Sequence, residues 1–229
     1  MSMPLAIQKR IKSLKKEYDR LKIGKDSLLK IIDEAELPES VYNSNAIENS
    51  TLTLKETEKI LLEMELSKNV SLREVFEAKN LARVMEYIST KPGELSLETI
   101  LLLHQMLISN IDESIAGRLR RKGEYVRIRT FIATAPEHVE RMLEEVLIEY
   151  SSDNISYFID KISKFHLQFE TIHPFNDGNG RIGRIIINFQ LYGLGFPGII
   201  IRDKEKQAYY NAFKAYQDEL TVLLCKPYG

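Results

Sequence analysis

Cysteine is almost missing from this chain. Cys225 is the one cysteine in 229 residues, which excludes an intramolecular disulfide and a thiolate metal site. A reducing compartment fits that usage. The first residues lack the apolar core of a secretory signal, because Lys9, Arg10, Lys12, Lys15 and Lys16 interrupt them. A cytoplasmic location is therefore the expectation. No apolar run is long enough to cross a bilayer. The nearest, IIINFQLYGLGFPGIII at 185–201, carries Asn188, Gln190, Pro197 and three glycines, and falls short of the roughly 20 apolar residues a span needs. It reads as a buried helix, a turn and a short extended segment, so no membrane partner is expected. Net charge is also small, −1 at neutral pH, which argues against a surface built throughout for nucleic acid. There is no GxxxxGK[ST] phosphate loop, no internal repeat, no low-complexity tract and no linker long enough to separate two domains.

What is present is helical periodicity over most of the chain. Ile7, Ile11, Leu14, Leu21, Leu28 and Ile32 recur at helical spacing between charged faces. Residues 1–30 hold nine Lys/Arg and three Asp/Glu. This reads as a solvated basic helix face, with an anionic partner as the alternative. Pro38 is expected to break the chain there, giving an N-terminal helical arm at 1–40 and a core at 41–229. TLKE (53–56) and SLRE (71–74) fit capping boxes that open helices. Pro92 and Gly93 end the second of these. Further helical patterns follow in LSLETILLLHQML, in PEHVERMLEEVLIEY with proline in its first turn, in SYFIDKISKFHLQFETI, in RIGRIIINFQLYGLG and in KEKQAYYNAFKAYQDELTVLL. One stretch differs. In RRKGEYVRIRTFIAT (120–134), Tyr125 and Arg127 alternate with Val126 and Ile128, as in a strand. The fold class is mainly α, with a small β-hairpin flap near 120–134.

The stretch HPFNDGNGRIGR (173–184) carries the chemistry. Pro174 disfavours the helical conformation at His173, so the preceding helix ends there. The loop that follows runs into the N-terminus of the next helix. Such an end presents backbone N–H groups and the positive end of the helix dipole, which suits phosphate. Gly178 and Gly180, on either side of Asn179, let a bulky anion approach the backbone. Arg181 and Arg184 share one helix face. Asp177 supplies a hard oxygen ligand of the kind that holds Mg²⁺ on a nucleotide. His173 is a candidate general base near neutral pH. The bland alternative is a structural histidine beside a plain Gly-Asn-Gly turn. Pairing His166 with His173 as zinc ligands matches the i, i+4 spacing of zinc helices poorly.

The same stretch resembles the Fic family signature HxFx(D/E)GNGRxxR at every fixed position. FHLQFETI before it, RIIINFQLYGLGFPGIII after it and AGRLR (116–120) resemble the family too, and the likeness covers about residues 40–220. It implies a Fic-type helical bundle and transfer of AMP from Mg-ATP to a Ser, Thr or Tyr hydroxyl of a protein, with release of pyrophosphate. By this resemblance His173 deprotonates the hydroxyl and Asp177 binds Mg²⁺. Gly178, Asn179 and Gly180 form an anion hole, with the Asn179 side chain also reaching the α-phosphate. Arg181 clamps the α- and β-phosphates and Arg184 the γ-phosphate. Phe175 anchors the loop in the core. Tyr210 lines the base, and Gln217 stands where many relatives have asparagine. The flap residues Tyr125, Val126, Arg127 and Ile128 dock an extended target by strand addition, with simple hairpin packing the alternative for Val126 and Ile128.

A second motif, SNAIEN (44–49), fits the family's inhibitory pattern (S/T)xxxE(G/N), which places an inhibitory helix ahead of the core. The resemblance implies that Ser44 and Glu48 are the inhibitory residues, with Glu48 paired to Arg184 in place of the γ-phosphate. The expected partners are ATP and a target protein, which includes this chain itself, and the family implies a homo-oligomer. Two other readings stay open: a hydrolase that removes AMP with the same site, and a nucleotide-responsive binding or regulatory module.

Overall fold

The computed structural model of the chain describes residues 3–66, 70–91, 93–128, 131–152 and 157–224, with side chains for all of these except 131 and 217–224. Cys225 and Pro92 lie outside the described residues. The arm is a helix α1 (Leu5–Lys22) and the exposed first half of α2 (Asp26–Ile47). The break between them falls at Gly24, whose φ of +70° suits glycine. It does not fall at Pro38. That proline sits buried inside α2, which runs on through it. A proline removes one helix hydrogen bond, to the carbonyl four residues back. Here that residue is Glu34, which is exposed, so water can take its carbonyl. One continuous helix thus joins the arm to the SNAI segment and ends at Glu48.

A short α3 (Leu54–Glu58) follows, and its Thr53–Glu56 capping box forms in both directions. A π-helical turn, Lys59–Glu63, extends it, a feature the apolar spacing does not signal. Ser71 caps α4 (Leu72–Thr90) by accepting from the N–H of Glu74. The Glu74 carboxylate accepts from the Ser71 hydroxyl at 2.8 Å through Oε2 and, through Oε1, from the Thr51 N–H at 2.8 Å and the Thr51 hydroxyl at 2.7 Å. It thereby pins the loop just beyond Glu48. Then come α5 (Leu97–Ile108), a hairpin of two-residue strands β1 (Arg127–Ile128) and β2 (Phe131–Ile132), α6 (Pro136–Ser151), α7 (Phe158–Ile172), α8 (Asn179–Gly193) and α9 (Lys206–Leu224). The strands pair antiparallel, Arg127 opposite Ile132 and Ile128 opposite Phe131.

The core gathers where α4 meets α2, α5 and α8, and where α7 meets α6 and α8. Leu81, Val84, Ile100, Leu103, Leu107, Phe165, Phe169, Ile182 and Ile186 are buried there, and the loop residue Phe175 is fully buried among them. That plug fixes the loop between α7 and α8 from below. Among the described residues no helix is long and apolar enough to cross a membrane.

Candidate active site

The loop is held from three sides. His173 caps α7 in a left-handed conformation, φ +54°. Asn179 accepts from the Phe175 N–H at 2.9 Å and donates to the Phe175 carbonyl at 2.8 Å. Its side chain therefore shapes the loop through its oxygen and one of its two amide N–H groups. The rest of an anion site here is backbone. The N–H groups opening α8 have no carbonyl four residues back, and no side chain caps that end. Gly178 turns into the helix at φ +80°, and a Cβ there would press on Ile108 and Leu107 at 3.2 Å.

Two residues outside the motif complete the frame. His104 on α5 stacks on Phe175, with ring centroids 3.7 Å apart. Its Nδ1 accepts from the Gly117 N–H at 3.0 Å, so its Nε2–H is left to donate to the Asp177 carbonyl at 3.1 Å. Arg120 is buried, and its guanidinium donates to the carbonyls of His173, Glu124, Thr134 and Ile172 at 2.8, 3.0, 2.6 and 3.2 Å. One side chain thus ties the loop between α7 and α8 to the base of the hairpin. Arg120→Ala strands four carbonyls at once, and we expect it to cost about 3 kcal/mol, read as a lower urea midpoint. Arg120→Lys should recover only part of that, because a lysine lacks the planar fork.

The charged residues separate into two groups. In the first, Asp177 accepts from Arg73 and Arg181, and Glu77 pairs with both arginines. In the second, the buried Arg184 donates from Nε to the Ser44 hydroxyl at 3.0 Å, and from Nη2 to the Ser44 carbonyl and Glu48 Oε1, both at 2.8 Å. Its Nη1 has no partner. Burial by itself would make the Arg184 guanidinium easier to deprotonate, but Glu48, Tyr209 and Glu170 together outweigh it and hold the group charged. A Cβ on Gly180 would overlap the Glu48 carboxylate, so that glycine makes room for Glu48 as well as for a ligand.

Around Arg184 lies a cluster of buried titratable groups. The Tyr209 ring sits 5.9 Å from the Arg184 guanidinium, and its hydroxyl bonds His166 Nε2 at 2.8 Å. That contact gives His166 a structural partner. Burial pushes His166 down to about 3 and both His173 and His104 down to about 4. Burial, with help from Glu48, pushes the Glu170 carboxyl up to about 8. These shifts make stability depend on pH. Each histidine starts from 6.5 unfolded, so its contribution is present above that pH and lost as the pH falls toward 4. Glu170 starts from 4.5, so its contribution is present below that pH and lost as the pH rises through 8. Three histidines against one carboxyl place the stability maximum near pH 6.5. Urea midpoints at pH 5, 6.5 and 8 check this, and Glu170→Gln should flatten the alkaline side and steepen the acid side above pH 4.5.

The remaining expected residues lie further out. The Tyr210 hydroxyl donates to the Ile47 carbonyl at 3.2 Å, and Lys206 donates to the Ala46 carbonyl at 3.2 Å and to Asn49 Oδ1 at 2.9 Å. So α9 braces the end of α2. The Gln217 side chain lies outside the described residues. On the hairpin Tyr125 and Arg127 are exposed while Val126 and Ile128 are half-buried, the alternation read in the sequence. Among the described residues no group of three or more His, Cys, Asp or Glu could hold a metal unaided.

Comparison with known proteins places this arrangement. The profile described as Fic/DOC family matches residues 94–191, which include His104, Arg120 and the whole 173–184 stretch. This chain belongs to the Fic/DOC family. The protein adenylyltransferase fic-1 of Caenorhabditis elegans is 31% identical over 178 residues, 74% of this chain and 34% of that protein. The protein adenylyltransferase Fic of Drosophila erecta is 28% identical over 214 residues, 90% of this chain and 43% of that protein. The chain thus spans between a third and a half of the length of these curated relatives. The crystal structure of a Fic domain containing signaling protein from Bacteroides thetaiotaomicron superposes with a TM-score of 0.80 at 29% identity, covering 89% of this chain and 80% of that one. The bundle, its small hairpin and the loop between α7 and α8 are therefore a Fic architecture.

Proposed function

We propose that this Fic protein is an autoinhibited protein adenylyltransferase, moving AMP from ATP to a hydroxyl of a protein. The observation that carries the reading is Arg184, buried, half-satisfied and held by Glu48 at 2.8 Å. A buried guanidinium is a site for an anion; Glu48 now holds its Nη2, while its Nη1 has no partner. The N–H groups opening α8 would receive the α- and β-phosphates. His173 stays neutral down to about pH 4, so its imidazole can take the proton of an attacking hydroxyl. The hydroxyl oxygen then bonds the α-phosphorus as the bond to pyrophosphate breaks. Asp177 would hold Mg²⁺. Its carboxylate fits, being 35% exposed and already facing two cationic groups. The metal would supply charge neutralisation on the phosphates. The half-buried edge of the hairpin is the surface for an extended target.

The test is incubation with ATP labelled at the α- or the γ-phosphate. The reading expects protein to take label from the first and none from the second. Label from the γ-position would mean a kinase-like transfer, and label from neither in any variant that frees Arg184 would sink the proposal.

A further inference from the structure

Asp177 does not wait with open oxygens. Its Oδ2 accepts from Arg73 Nη2 at 2.5 Å and its Oδ1 from Arg181 Nη2 at 3.2 Å. Glu77 Oε1 meets Arg73 Nε at 3.1 Å and Arg181 Nη1 at 3.3 Å. The four side chains close a ring in which cation and anion alternate. The two arginines are not equivalent. Arg181 is 4% exposed on α8, whereas Arg73 is 58% exposed on α4. Both arginines would keep Glu77, but only Arg73 stands where water can rehydrate the N–H that lets go of Asp177.

We propose that Arg73 is the resident counter-cation of Asp177, a positioning residue that a divalent metal must displace and that thereby sets the metal affinity of the site. This rests on the reading of Asp177 as the metal carboxylate. Three features of the ring support it. Arg73 gives Asp177 a single N–H, not the two-pronged grip of the strongest arginine pairs, so the contact can exchange. Glu77 lies four residues after Arg73 on the same helix face and keeps hold of the arginine once Asp177 is taken. A singly charged ion gains no charge advantage over the guanidinium it replaces, whereas a doubly charged ion does. The ring therefore favours divalent over monovalent cations without a cage of protein ligands. Before the metal arrives, Arg73 keeps the carboxylate aimed, and together with Arg181 it helps hold Asp177 below the usual carboxylate range.

The test is a calorimetric titration with the ATP analogue that carries a methylene between the α- and β-phosphates, run in Mn²⁺ and again in EDTA. The ratio of the two affinities reports the metal's contribution and does not depend on turnover. Chelation of metal by the analogue is common to all variants. Arg73→Ala should raise the ratio about two- to fivefold over the native chain, the loss of one partly exposed competing ion pair. Arg73→Lys should fall between the two. Asp177→Asn should collapse the ratio whatever stands at 73. An unchanged or lower ratio in Arg73→Ala, with Asp177→Asn still collapsing it, overturns the role given to Arg73. A ratio that survives Asp177→Asn overturns Asp177 as the metal carboxylate, and the role of Arg73 goes with it. Thermal unfolding of each variant separates these outcomes from loss of the fold.

Discussion

Glu48→Gly should raise AMP transfer by about two orders of magnitude. The Glu48 carboxylate is 2.8 Å from Arg184 Nη2 and closes over Gly180, so it competes with a terminal phosphate for charge and for room. Separating a buried ion pair costs about 3–5 kcal/mol. The Glu48 side chain is 37% exposed, which lowers that to about 2–3 kcal/mol after solvent screening. An ATP that binds productively must meet this cost, and removing the carboxylate removes it, for a gain on the order of 100-fold. Glu48→Gln keeps a hydrogen-bond acceptor without the charge and should land between, near tenfold. Initial rates of α-label incorporation are the measurement. Equal rates in the native chain and Glu48→Gly would mean that the contact is structural only.

Loss of His173 should have the opposite effect and be at least as large. In the Glu48→Gly background, removing the imidazole should lower the rate by about 10²–10⁴, the usual worth of a positioned general base. The choice of replacement matters. Position 173 is left-handed, φ +54°, where alanine is strained by about 1–2 kcal/mol and asparagine is better tolerated. His173→Asn is therefore the cleaner variant. Its kcat should fall while its affinity for ATP stays within about twofold, since the role is proton removal and not phosphate binding. A fall in affinity that matches the fall in rate would return His173 to a structural role.

How much of this was legible along the chain depended on distance in sequence. The 173–184 stretch could be read because one loop and one helix turn carry its chemistry, and local spacing fixes what they present. The Thr53–Glu56 box and the alternation at 125–128 were legible for the same reason. The frame was not. His104 and Asp177 are 73 positions apart, Arg120 and His173 are 53 apart, and Arg73 and Asp177 are 104 apart. Each of these residues sits in an ordinary helical or loop pattern, and only packing of separate helices brings them together. Lys206 and Tyr210 on the end of α2 are the same case. Pro38 shows the converse. A strong local rule marks a break there, yet packing buries the proline inside an unbroken α2 while Gly24 supplies the turn. For Asn179 the family resemblance implies a contact with the α-phosphate; what local pattern does not signal is that its amide oxygen and one N–H fold back onto Phe175.

The ring of Arg73, Asp177, Arg181 and Glu77 contains two cations and two anions, and Arg184 with Glu48 adds one of each. These six side chains are therefore formally neutral together. They are a set of filled valences, unlike the vacant basic pocket that a phosphate-binding loop brings to mind. On the reading proposed above, a nucleotide and its metal would enter by trading places with carboxylates and a guanidinium that are already there. Recognition would then be a double displacement among ions, in which the protein's own side chains are the first groups to be released.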